Sequence, residues 1–465
     1  MTARATVIHV TRPRVLRTTA ALVGCGVAAL VHCSSGGAGG DSGFGTADTG
    51  TGTHGEGGAA ESGARETGAQ HFDATGQHET GPLCTDCDHD GYDRDVDCND
   101  NDPLVNPDAY DFVGDGIDND CDGKIDDPVL HCETIPASAP GSPLDFARAA
   151  DLCPQISLTH TGKPFDPVVA AAFGQIQGLS LPDAGTLFTS TTKNEQINIV
   201  SSFGQNKPQL GQTLFGISNG PWGTGTPRSS PALDPAGFHL ANACSDIPLL
   251  GDDCLALTGN MSAANVSVQD WGELRLNVQV PVNASGMSFD FSFFSSEFNQ
   301  WWQSSANDAF FALVTSKTIK GTNIAKDSAG RAVTVNSSFF QVCPETSEAP
   351  ADLQNSQALA QCVGVSGTAM VPGTLTGTGY DGAGAGGADA SAANDTVQSI
   401  TGQTYIYGGG TGWLTAAFPV TPGEQLELRI VIMDTFDGIK DSVVLVDNFA
   451  WQATPPATTG VTRPK

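Results

Sequence analysis

The sequence predicts a mainly β protein: an antiparallel, jelly-roll-like β-sandwich, preceded by a small Asp/Cys-rich loop module and a disordered N-terminal tether. Three observations carry that expectation. Between about residues 143 and 452, short runs alternate apolar and polar residues. Phe289, Phe291 and Phe293 share one face against Asp290 and Ser292, and Leu426, Leu428, Ile430 and Ile432 alternate with Glu427, Arg429 and Val431. A period of two sends successive side chains to opposite faces, as half-buried strands require. Gly, Pro and Asn punctuate these runs over roughly 300 residues, the pattern of a sandwich of many short strands. Finally, 56 Gly with few Lys and Glu describe a loop-rich, β-rich exported protein better than a helical one.

Taken in order, the chain opens with an address. Arg12, Arg14 and Arg17 precede a mostly apolar stretch from Thr18 to His32. Its length suits the h-region of a signal peptide and falls short of a membrane span, so residues 1–32 are expected to be removed on export. Two cysteines there resemble bacterial lipoprotein cleavage sites. Cys25 has the better preceding residues, Leu22 to Gly24, whereas Cys33 follows a fuller apolar region and leads into a Ser/Gly-rich run. Of twelve cysteines, losing Cys25 with the peptide and acylating Cys33 leaves ten, an even number suited to disulfides. Lipidation is therefore expected at Cys33, placing the protein at a bacterial outer membrane or cell surface, with the membrane as its first partner. Residues 33–83 carry almost no large apolar groups and form the tether.

Residues 84–132 change abruptly to Asp and Cys. Asp86, Asp88, Asp90, Gly91, Tyr92 and Asp97 occupy positions one, three, five, six, seven and twelve of an EF-hand-type loop. That spacing supplies carboxylates, a sharp Gly turn and a backbone carbonyl to a hard cation, so Ca²⁺ is the expected cofactor. Asp97 stands where Glu is customary, which implies a dissociation constant on the order of 10⁻⁵ to 10⁻³ M. Asp118, Asp120, Asp122, Lys124 and Asp126 repeat the rhythm, with Lys124 offering its carbonyl. Sixteen Asp face one Arg and one Lys between Asp86 and Asp127; such charges held together without cations repel by about 1 kcal/mol or more per close pair. Cys84 and Cys87 could begin a zinc site, but an exported, carboxylate-rich chain favours disulfides.

The net charge of −30 repels nucleic acid, which is excluded as a partner. In the large domain, 143–452, the run Val443 to Trp451 is apolar on both faces apart from Asp447 and Asn448 and reads as a central strand. Short helices are expected at residues 145–152 and 351–362, and disulfides at Cys244–Cys254 and Cys343–Cys362. Residues 453–465 read as a flexible tail. Glu297, Asp308, Asp437, Asp441 and Asp447 fall at apparent strand ends and could share a second metal ion, against the reading of strand caps and turns. Trp301 and Trp302 could stack on a sugar or a protein partner at the surface, or pack into their own core. No metalloprotease, nucleophile-elbow or phosphate-loop motif occurs, and His160 and His239 are the only histidines of this domain. The chain is therefore expected not to be an enzyme, with a structural or adhesive role as a calcium-stabilised surface lipoprotein. Carbohydrate binding is the alternative, and a glycosidase-like pair such as Glu297 with Asp437 comes after it.

Two resemblances add to this. Asp97 to Ala109 and Asp115 to Gly123 resemble the metal-binding motif of myxobacterial and other bacterial surface proteins named after copper-binding MopE, and are similar to thrombospondin type 3 repeats. The family often has Cys where this chain has Gly114, so its disulfide pattern does not carry over directly. Soft ligands are scarce, His89 and His131 being the only histidines and no Met being present in the module, so copper does not transfer easily. Phe289 to Phe298, Ser305 to Val314, Phe436 to Phe449 and Ala147 to Pro154 resemble the choice-of-anchor L domain over most of Asp145 to Gln452. That resemblance implies a cell-surface protein whose relatives use varied anchors, here the N-terminal lipid.

Overall fold

The computed structural model describes residues 84–127, 132, 141–154, 165–174, 196–220, 242–244, 250, 267–298, 307–342, 375, 377–380, 397–400, 403–406, 408–435 and 442–463. Cys25, Cys33, the tether, Trp301, Trp302, Asp437, Asp441, the helix expected at 351–362 and Cys254, Cys343 and Cys362 lie outside them. Cys244 is disulfide-bonded.

The described residues form two antiparallel sheets with one short helix. In chain order the elements are α1 (Pro143–Ala149), β1 (Val168–Gly174), β2 (Ile197–Val200), β3 (Leu214–Ser218), β4 (Asn242–Ala243), β5 (Ser267–Gln279), β6 (Gly286–Ser295), β7 (Ala309–Thr315), β8 (Thr322–Asn323), β9 (Val333–Thr334), β10 (Val397–Ile400), β11 (Gln403–Ile406), β12 (Gly409–Pro419), β13 (Gln425–Thr435), β14 (Ser442–Gln452) and β15 (Gly460–Thr462). One sheet runs β1-β5-β13-β7-β8, with β4 on β5 and β9 on β7; the other runs β15-β12-β6-β14-β3-β2, and β10 and β11 pair as a separate hairpin.

The alternation read from sequence decides which faces meet. Phe289, Phe291 and Phe293 of β6 and Leu426, Leu428, Ile430 and Ile432 of β13 are all buried in one core between the sheets. Phe291 of one sheet reaches Phe310 of the other, ring centroids 4.6 Å apart. The off-phase residues are buried too. Val431 and Met433 join Phe311 and Trp271 in a second cluster, and Phe294, Val443 and Leu445 join Phe203 and Tyr380 in a third. Strand β14 is central, as its two apolar faces require, lying between β6 and β3.

One expectation needs correcting. The segment after residue 452 is not a flexible tail throughout: β15 pairs with β12, Val461 is buried, and Arg463 donates to the Thr411 carbonyl at 2.7 Å and the Phe339 carbonyl at 2.6 Å. Its Pro/Thr/Gly composition hid a three-residue edge strand. The Asp/Cys module packs into the sandwich. Its own apolar residues Val96, Leu104, Val113, Ile117 and Ile125 are exposed, while Phe112 is buried in the sandwich core. Asn283 clamps the Tyr110 backbone, accepting its N–H at 2.9 Å and donating to its carbonyl at 2.8 Å. Disulfide Cys132–Cys153 ties the end of the module to the chain just past α1.

Candidate metal centre

The two Asp loops of the module share one hydrogen-bond skeleton. At the first position, Asp86 accepts the N–H of His89 at 2.7 Å and of Gly91 at 3.2 Å, and Asp118 accepts those of Asp122 at 3.1 Å and Gly123 at 3.0 Å. At the third, Asp88 accepts from Asp90 at 3.3 Å and Asp120 from Asp122 at 3.2 Å. At the fifth, Asp90 accepts from Tyr92 and Asp122 from Lys124, both at 2.8 Å. Short carboxylates that bond their own backbone two residues on are how Asp makes turns. The sixth position is Gly in both loops, with φ of 101° at Gly91 and 91° at Gly123, backbone that disfavours a Cβ.

Loop 1 gathers more than its own ligands. Carboxylate oxygens of Asp88, Asp90 and Asp97 lie within 4.8 Å of one another, and so do those of Asp86, Asp88 and Asp100. The Oδ2 atoms of Asp88, Asp90, Asp97 and Asp100 are buried and accept no hydrogen bond. Asp97 and Asp100 are only 6% and 7% exposed. Burial first, then the charges of Asp90, Asp88 and Asp100, pushes the Asp97 carboxyl above the usual carboxylate range. Arg94, 3.5 Å from Asp100, is the one neighbouring cation among the described residues. Buried like charges of this kind are stable only with a proton or a cation among them. An all-oxygen cradle fits a hard divalent ion, which Asp86, Asp88, Asp90, Asp97 and Asp100 would hold. Asp100 lies three residues beyond the twelve-residue loop, so the spacing argument missed it; its Oδ1 is fixed by the Cys87 N–H at 2.8 Å.

Loop 2 is differently furnished. Oxygens of Asp118, Asp120 and Asp122 also lie within 4.8 Å of one another. Here, however, the Lys124 ammonium bonds Asp122, holding that carboxyl below the usual range, and sits 3.6 Å from Asp127. Asp126, expected as a ligand, turns away and accepts the N–H groups of Gly114 at 2.8 Å and Gly116 at 3.0 Å. The twelfth position falls on Val129, which has no oxygen to offer from its side chain. The nearby sulfurs of Cys84 with Cys87 and of Cys98 with Cys121 are joined as disulfides, so none is a thiolate ligand.

Of the second metal group expected in the sandwich, Glu297, Asp308 and Asp447 are described, and Asp447 stands apart from the other two. Glu297 and Asp308 do meet, fully buried, the Asp308 N–H donating to Glu297 Oε2 at 2.9 Å and the Ser442 hydroxyl to Asp308. Asp447 lies five residues along β14 from Ser442, about 17 Å at strand rise. There it pairs with Asp290 and accepts the backbone N–H groups of Gln209 and Leu210.

Residues 97–127 match the model of the MopE-type metal-binding motif, and residues 250–450 match that of the choice-of-anchor L domain. No curated protein and no solved structure matches the chain. The motif match begins at Asp97, so Asp86, Asp88 and Asp90 lie ahead of it. The domain match begins at residue 250, later than the resemblance read from sequence; β1 to β4 and β15 complete the sheets from outside it. The chain thus joins a MopE-type metal-binding motif to a choice-of-anchor L domain.

Proposed function

We propose that this is a calcium-stabilised, non-catalytic protein of the bacterial cell surface, lipid-anchored at Cys33, in which loop 1 holds the principal Ca²⁺ and the sandwich has a structural or adhesive role. The two matched domains support the coarser reading of a surface-associated, metal-binding protein. Among the described residues no helix is long and apolar enough to cross a membrane, which accords with an anchor elsewhere in the chain. The observation that carries the metal reading is the set of four buried carboxylate oxygens of loop 1 that accept no hydrogen bond. Oxygen donors predominate and no thiolate is present, while the one imidazole of loop 1, His89, has its Nδ1 3.1 Å from the Asp86 carbonyl; this set favours Ca²⁺ over copper or zinc.

Calcium is also a folding ligand in this reading. The module has little core of its own, and at free calcium 100-fold above the dissociation constant one site adds roughly 2.7 kcal/mol. The test is calorimetric titration of the full mature chain with Ca²⁺, Mg²⁺ and Cu²⁺ in turn, paired with palmitate labelling of Cys33→Ser and Cys25→Ser variants. Ca²⁺ binding in the micromolar to millimolar range, with label lost only in Cys33→Ser, is expected. Tight copper binding without calcium binding overturns the metal assignment, and label lost only in Cys25→Ser moves the anchor.

A further inference from the structure

The module and the sandwich together line a half-open pocket of about 440 Å³ that neither domain match explains. Module residues Tyr110, Phe112 and Asp115 form one wall; Asp151, Phe449 and Trp451 form the other. Its size is that of a small-molecule site. Its chemistry is one-sided. Among the described residues that line it are two carboxylates and four aromatic rings, and no Lys, Arg or His. The lining amides are already engaged, Asn448 Nδ2 donating to Asp290 at 2.8 Å and Gln452 Nε2 to Ser288 at 3.2 Å. Behind Asp151 stands a further carboxylate, Asp447, which feels the Asp151 charge.

The backbone is also strained at this place. Asp151 and Asn448 both hold left-handed conformations, with φ of 68° and 54°, and Asn448 sits in the register shift of β14 between Asp447 and Ala450. Non-glycine residues kept in this region mark places where the surrounding structure over-determines the chain, often ligand clamps. The opposite wall is held by loop 2: Gly114 lines the cavity, and its N–H is fixed by Asp126. This gives a reason for Asp126 facing away from the loop centre.

We propose that the cavity binds an organic cation, a primary or quaternary amine, with its charge between Asp115 and Asp151 and its carbon skeleton against Trp451 and the neighbouring rings. Aromatic faces and carboxylates together attract such cations, and the surplus of negative charge across the chain raises their local concentration. A neutral sugar could also use the rings, but among the described lining side chains only the Tyr110 hydroxyl and the Trp451 indole N–H remain to donate to its oxygens, and neither carboxylate's charge would be answered.

The experiment is tryptophan-fluorescence and calorimetric titration of the full chain at 150 mM NaCl with saturating Ca²⁺, using choline, cadaverine and spermidine as probes and glucose as the neutral control. Asp151→Asn is the central variant because Asn tolerates left-handed backbone; Asp115→Asn, on an exposed loop, and Trp451→Leu accompany it, each checked by circular dichroism. The proposal predicts saturable binding of at least one amine at one site, weakened tenfold or more by Asp151→Asn or Asp115→Asn with the fold intact. Absence of amine binding below 10 mM (roughly −2.7 kcal/mol), binding unaltered in all three variants, or preference for glucose would overturn it.

Discussion

The two Asp loops of the module are near copies in backbone and unlike in what stands over their carboxylates. In both, the carboxylate at position one accepts the N–H of Gly six, that at three accepts from five, and that at five accepts from seven. Loop 1 then receives Asp97 and Asp100 from the chain that follows, whereas loop 2 receives the Lys124 ammonium and lends Asp126 to another wall. Three Asp and a Gly are enough to shape the loop; the residues beyond them decide whether it takes a metal or an internal ammonium. A third solution appears in the sandwich, where Asp447 is buried with three backbone donors, from Gln209, Leu210 and Asn448, and no cation among the described residues. Burial, reinforced by Asp151, raises its carboxyl to about 7, so a proton serves instead.

The largest effect should come from the interface that makes loop geometry depend on the sandwich. Phe112→Ala removes the aromatic side chain that the module buries most deeply in the sandwich core, beside the partly buried Tyr110, and should cost about 3 to 5 kcal/mol, read by urea unfolding. If the module is instead independent, the sandwich transition will be unmoved and only the module will become protease-sensitive.

Asp447→Asn should come next, and its effect depends on pH. The folded-state pKa near 7 lies above the ordinary carboxylate value of about 3.9, so the folded chain holds the proton more tightly. Stability from this group is therefore full below pH 4 and falls as pH rises toward 7. The Asn variant, which keeps an acceptor for Gln209 and Leu210, should flatten that fall. At pH 8 it should be more stable than the parent by on the order of 3 kcal/mol. Equal pH profiles for the two proteins would show that Asp447 is ionised in the folded state and has found a cation.

Lys124→Ala should have a smaller effect and bears on the comparison directly. It frees Asp122, and loop 2 should then gain a weak calcium site, while overall stability should hardly change because the ammonium is largely exposed and its ion pairs are screened by solvent. No new site in this variant would mean that the missing twelfth carboxylate, not the lysine, limits loop 2.

Much of this was legible in the sequence because it depends on local spacing. The period-two runs of β6 and β13 placed the right phenylalanines and leucines in the core, and the one-three-five-six rhythm found both loops. What was not legible depends on pairing across the chain. Asp100 enters loop 1 through folding of the segment between Cys98 and Cys121, Cys132 reaches forward to Cys153, and β15 exists only because β12 offers an edge. Glu297, Asp308 and Asp447 looked alike as polar residues in apolar strands. Register separates them, since antiparallel β14 carries Ser442 to the Asp308 end and Asp447 to the middle of β6.

The central claim, that loop 1 is the calcium site and loop 2 is not its equal, is tested most directly by calorimetric Ca²⁺ titration of Asp97→Asn beside Asp126→Asn in the full chain. Asp97→Asn removes a buried ligand oxygen and should weaken the tightest site tenfold or more, about 1.4 kcal/mol. Asp126→Asn, which keeps an acceptor for Gly114 and Gly116, should leave that site within twofold. Loss of the tight site in Asp126→Asn with Asp97→Asn unaffected would contradict the account.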